Sequence, residues 1–103
     1  PIRFSKRSKI TGQRLYNITT AQAEGRQADQ ARYALLYSEA LDKNHIKVTN
    51  DSLIRQAWNH YKHHPQDLRR QCKTLYYWGR IKLRTGDKPG ALRLFLEIEE
   101  KLK

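Results

Sequence analysis

Cysteine occurs once in this 103-residue chain, which excludes an internal disulfide and leaves no paired-cysteine framework for a metal. No apolar run approaches the ~18 residues that a membrane span requires. The opening PIRFSKRSK also lacks the apolar stretch of a secretory signal, so a cytoplasmic protein is the expectation. There is no glycine-rich phosphate loop and no Ser, His and Asp in an order that suits nucleophilic catalysis. The only carboxylate cluster, Glu97, Glu99 and Glu100, falls on a solvated helix end. The sequence therefore predicts neither an enzyme nor a cofactor. Acids are scarce too: ten Asp and Glu stand against 21 Lys and Arg, for a net charge of +11. That excess suits nucleic acid, an anionic surface or an acidic peptide, and charge alone does not choose among them.

What is present points to one small folded domain. Ten aromatics and recurring Leu, Ile and Ala supply enough apolar surface for a modest core, although a chain of this length buries only ~60–65% of its unfolded surface. The charge is concentrated. Residues 1–14 carry net +5 and residues 66–88 another +5, while 15–65 is +1 and 89–103 is neutral.

The apolar spacing from residue 28 onward is helical, with no strand-like alternation. Ala31, Ala34, Leu35, Ser38 and Leu41 share one face of a helix predicted over Ala28 to Asp42. Thr49 or Asn50 suits the cap of a second helix that packs Leu53, Ile54, Ala57, Trp58 and Tyr61 and stops before Pro65. A third helix opens at Asp67 and carries Leu68, Cys72, Leu75, Tyr76, Gly79 and Leu83 along one side. Gly86 closes it. Asp87 then caps a fourth helix with Pro89 in its first turn and a buried stripe of Ala91, Leu92, Phe95, Ile98 and Leu102. The chain thus divides into a basic segment at 1–27, flexible or forming a short helix, and a helical domain at 28–103 with hairpins at 28–64 and 67–102.

The two hairpins are alike. Ala57 to Ala91 and Tyr61 to Phe95 are each 34 residues apart, while Ser38 to Gly79 is 41, the difference matching a longer loop around Lys43–Thr49. A 34-residue helix–turn–helix period is the mark of a tetratricopeptide array. The stretch TLYYWGRIKLRTGDKPGALRLFLEIEE resembles one such repeat: Leu75, Trp78 and Gly79 match the large–large–small pattern of its first helix, TGD at 85–87 its turn, and Ala91 with Phe95 its second helix. Lys82 and Ile98 depart from the pattern. ARYALLYSEALDKN is also similar to segments of repeat arrays in bacterial regulatory proteins. The resemblance implies an all-α, right-handed stack of about two antiparallel hairpins that acts as a protein-interaction scaffold. Its first helices would line a groove with Lys73, Tyr76, Arg80 and Arg84 on one side and Arg32, Leu35 and Glu39 on the other. There, Arg would engage carboxylates of an acidic peptide through its planar fork. Reversing the charge at Lys73 and Arg80 is expected to abolish that binding and leave the fold intact.

Stable arrays need about three repeats and a polar cap. Two leave an apolar end, which predicts either that residues 1–27 cover one end or that two chains pack together. The alternative function is nucleic-acid binding through the basic surface, with RFSKRSK as an arm and aromatics stacking on bases. His60 and His64 are four apart with His63 beside them, a spacing that suits zinc. The helix-end reading is preferred, because the Glu of the metalloprotease pattern is missing and residue 61 is Tyr. Cys72, in apolar register, is expected in the core.

Overall fold

The computed structural model describes the backbone of residues 12–103 and the side chains of residues 20–103. Four helices make up the described chain, with no strands: α1 (Gly12–Lys43), α2 (Ser52–Tyr61), α3 (Leu68–Arg84) and α4 (Lys88–Lys101). The first helix differs from the expected Ala28–Asp42, since it runs on continuously from Gly12 and crosses the boundary drawn at 27/28. Residues 12–27 mix helix formers with Gly, Asn, Thr and Tyr and have no apolar stripe, so periodicity is silent there. Residues 1–11 lie outside the described part of the chain.

The helix ends follow from their local chemistry. Asp67 caps α3 by accepting from the Arg70 amide at 3.4 Å, and Asp87 caps α4 by accepting from the Gly90 amide at 2.9 Å. At α2 the capping position is Asp51, one residue later than expected, and Asn50 Oδ1 accepts from the Ser52 amide at 2.8 Å. Gly86, at φ +87°, ends α3 in a left-handed turn in which the amides of Gly86 and Asp87 bond the carbonyls of Leu83 and Lys82. His45 ends α1 in the same way at φ 62°, with the His45 and Ile46 amides on the carbonyls of Asp42 and Leu41. A left-handed His is uncommon, but polar residues of this kind tolerate the conformation best after glycine.

Helix α1 packs on α2, α2 on α3 and α3 on α4, and α1 also touches α3. The main core gathers Ala31, Ala34 and Leu35 from α1, Ile54, Ala57 and Tyr61 from α2, and Tyr77 and Ile81 from α3. Two side-chain bonds fix α3 antiparallel to α2. Gln71 Nε2 donates to the Tyr61 carbonyl at 2.7 Å near one end, and Trp78 Nε1 donates to Asp51 Oδ2 at 3.1 Å near the other. At Gly79 a Cβ atom would stand 2.4 Å from Phe95 Cε1, so a residue without one is what lets α4 approach α3.

The predicted stripes hold on α1 and α2 and need correction on α3 and α4. Helix α3 lies between two neighbours, so the side against α2 buries Gln71, Thr74, Tyr77 and Ile81. Of the predicted stripe, Leu75 and Gly79 are buried, Gly79 against Phe95 of α4, whereas Leu68, Tyr76 and Leu83 are exposed. On α4 only one side has a neighbour, which buries Ala91 and leaves Leu92 and Leu102 exposed. The molecule measures 57 × 31 × 18 Å with a radius of gyration of 18.4 Å. That exceeds the ~13 Å of a compact domain of about 100 residues, because α1 alone, at 32 residues, spans about 48 Å.

Candidate functional site

The side-by-side contact of α1 and α3 brings most of the predicted groove residues together, and brings acids to meet them. Lys73 Nζ lies 3.4 Å from both carboxylate oxygens of Glu39. Glu39 also pairs with Lys43 at 3.0 Å and accepts from the Tyr77 hydroxyl at 3.4 Å. Asp42, one turn further along α1, accepts from Arg80 Nε at 2.5 Å and Arg80 Nη2 at 3.1 Å, and from Arg84 Nη2. The sequence reading gave Asp42 no role in the site. Its only signal was that it follows Glu39 by three residues, which places two carboxylates on adjacent turns opposite a basic stripe.

These pairs shift the titration of the groups involved. The bond to Lys43 holds the Glu39 carboxyl below its usual range, against the opposing effect of burial and with help from Lys73. At Asp42 burial pushes upward most strongly of any one influence, but the bonds and charges of Arg80 and Arg84 together outweigh it and the net direction is down. Burial, followed by the Glu39 charge, pushes the Tyr77 hydroxyl up to about 12. Three of the four expected groove cations, Lys73, Arg80 and Arg84, are therefore engaged internally.

Of the others, Leu35 is buried as core beneath the groove. Tyr76 is exposed and turned toward α4. Its ring stands edge-on to Tyr77 at 5.1 Å and tilted to Phe95 at 6.1 Å, with the Arg80 guanidinium 5.9 Å from its centroid. Arg32 is exposed at the mouth of a cleft of about 310 Å³ lined by Arg32, Leu35, Leu36, Glu39, Arg69, Arg70 and Lys73. Arg70 is engaged by Asp67 at 2.9 Å. Neither Arg32 nor Arg69 has a carboxylate partner among the described residues. Arg69 and Leu36 were not foreseen in this role, since helical register alone does not say that the start of α3 meets the middle of α1.

The histidines sit elsewhere, at the end of α2. The His60 and His64 rings stack 4.1 Å apart, His64 Nδ1 is bonded to the His60 carbonyl at 2.8 Å, and the Tyr61 ring stands edge-on to His60. Across an open cleft lie Glu24, Gln27 and Ala28 of α1. Among the described residues no group of three or more His, Cys, Asp or Glu is placed to hold a metal ion. Cys72 is half-buried. No helix among the described residues is long and apolar enough to cross a membrane.

Burial, and then the charge of His64, lowers the His60 pKa, while Asp67 opposes. An unfolded chain therefore takes up this proton before the folded one does as pH falls below the ordinary imidazole value of about 6.5. The stabilisation is complete above that value and is lost as pH drops through the lowered folded value. Thermal midpoints compared at pH 7.5 and pH 5.5 are expected to fall on acidification, and His60→Gln is expected to flatten that dependence; an equal slope in the variant would count against His60 as the source.

No family model matches this chain, and neither a curated protein nor a solved structure was found that matches it.

Proposed function

We propose that this chain is a non-catalytic interaction module of tetratricopeptide type that holds an acidic protein segment along the face where α1 meets α3. The order of packing supports the repeat reading: hairpin α1–α2, hairpin α3–α4, and the first helices of the two hairpins side by side. The observation that carries the binding reading is the basic cleft. Arg32 and Arg69 stand at its rim without carboxylate partners among the described residues, beside the exposed Leu36.

A carboxylate arriving there would meet guanidinium groups whose planar forks accept both oxygens, and an apolar side chain next to it would cover Leu36. Lys73, Arg80 and Arg84 act differently from the sequence expectation. Their ion pairs with Glu39 and Asp42 hold the two helices together, and the specificity rests on Arg32 and Arg69.

The test is fluorescence anisotropy with labelled peptides that alternate acidic residues with Leu, set against a single-stranded oligonucleotide of equal charge. Arg32→Ala/Arg69→Ala is expected to weaken the peptide about a hundredfold, because two hydrogen-bonding guanidinium groups are lost, each worth about 1.5 kcal/mol at the low end of the range for charged groups. If the oligonucleotide binds more tightly and the variant leaves the peptide unaffected, the basic surface reads phosphates and the protein-binding proposal fails.

A further inference from the structure

We infer that copies of this chain stack head to tail, the outer face of α1 in one copy seating on the outer face of the α3–α4 hairpin in the next. The inference goes beyond the groove and does not rest on it. It comes from comparing equivalent positions in the two hairpins.

In the register set by Ser38 and Gly79, the α3 residues that pack on α2 correspond to α1 residues that pack on nothing. Thr74 is 0% exposed and Tyr77 9%, whereas their counterparts Tyr33 and Leu36 are 64% and 55% exposed. Trp78, packed against the core, corresponds to the exposed Tyr37, and Gln71, bonded to the Tyr61 carbonyl, corresponds to Gln30. Tyr33 and Tyr37 stack on each other at 5.7 Å, forming an aromatic ridge on the open side of the helix.

The opposite end shows the other half of the same joint. In the first hairpin Leu35 is 3% exposed, but its counterpart Tyr76 is 44% exposed, because α3 covers the first hairpin and nothing covers the second. Beside Tyr76 runs an open groove of about 760 Å³ floored by Leu68, Cys72, Ile98 and Leu102, and Leu92 lies exposed further along α4. An α1 helix placed on this end as α3 is placed on α2 would bring Tyr33 toward Leu92.

Both faces belong to this one chain, so a second copy supplies to each end the partner that the neighbouring hairpin supplies inside the molecule. Because the two faces differ, the contact is heterologous and repeats from copy to copy, building an open stack or a ring.

Sedimentation of the whole chain from micromolar to millimolar concentration tests this with two exposed-site variants. Tyr33→Glu/Tyr37→Glu blocks the head and Leu92→Glu/Leu102→Glu blocks the tail. Circular dichroism checks their helicity, and serine replaces glutamate in either one that has lost it. The expected result is assembly of the wild type beyond a dimer, each variant monomeric alone, and an equimolar mixture of the two giving a mass of two chains and no more. A wild type that stays monomeric throughout overturns the inference. So does a variant that pairs with itself, which would mean a two-fold symmetric contact, or a mixture that stays monomeric.

Discussion

Replacing Ile54 by alanine is expected to lower the unfolding free energy by about 2–5 kcal/mol, in the upper half of that range. Ile54 is fully buried where α1, α2 and α3 meet. The side chains that would have to close on the vacated space include Ala31, Ala34 and Ala57, which are too short to reach into it, so the cavity persists and its cost adds to the lost transfer free energy. Two hairpins form a small core to begin with, and domains of this size have ~5–15 kcal/mol of stability at most. Urea unfolding monitored by circular dichroism should show a much lower midpoint with a similar slope. Leu92→Ala, at a site 58% exposed on α4, provides the contrast and should change little. Equal losses at the two sites would mean that the core is not centred on α2.

The second large effect is expected at Asp42. Asp42→Ala removes the acceptor of both Arg80 and Arg84, whose side chains are 41% and 19% exposed. An arginine left in a partly buried place without its partner loses charge-assisted bonds and keeps its desolvation, for about 1–3 kcal/mol once solvent screening at the more exposed Arg80 is allowed for. The effect has a pH signature. Because the Asp42 pKa is lowered in the folded protein, the wild-type advantage is fully present above the ordinary carboxylate range of about 4 and disappears as pH falls through the lowered value. Urea midpoints of the two proteins at pH 7 and pH 3 check this. A difference that persists unchanged at pH 3 would assign the effect to packing. The same geometry changes what charge reversal at Lys73 and Arg80 would report, since a new carboxylate at either place faces Glu39 or Asp42 and strains the fold before any partner is added.

Much of the architecture was legible because it follows from local rules. The three- and four-residue spacing picked out the buried faces of α1 and α2, and Asp67, Gly86 and Asp87 marked the turns through bonds made within a few residues of themselves. The start of α1 was not legible, because Gly12–Gln27 mixes strong and weak helix formers and has no apolar side. Nor was the split of α3 into two buried flanks, which depends on its having neighbours on both sides. The site was half legible for a related reason. The basic stripe on α3 is a one-helix pattern, visible in spacing, whereas its pairing with Glu39 and Asp42 joins residues 34 to 42 positions apart and exists only once the hairpins are in register. Arg69 gained its place in the cleft from that register alone.

Each helix touches only those next to it or one beyond. The chain therefore closes no loop much longer than one hairpin on the way to its native state, and folding can begin in either hairpin and spread by zipping. The same feature sets where order is lost first. From Ala21 to Gln27 every side chain of α1 lies in water, so this stretch is held mainly by its own backbone bonds, and an isolated helix of that kind is marginal in water. It opens and closes on its own while the turn around Ala31 to Ser38 stays shut, giving one continuous helix two different lifetimes along its length.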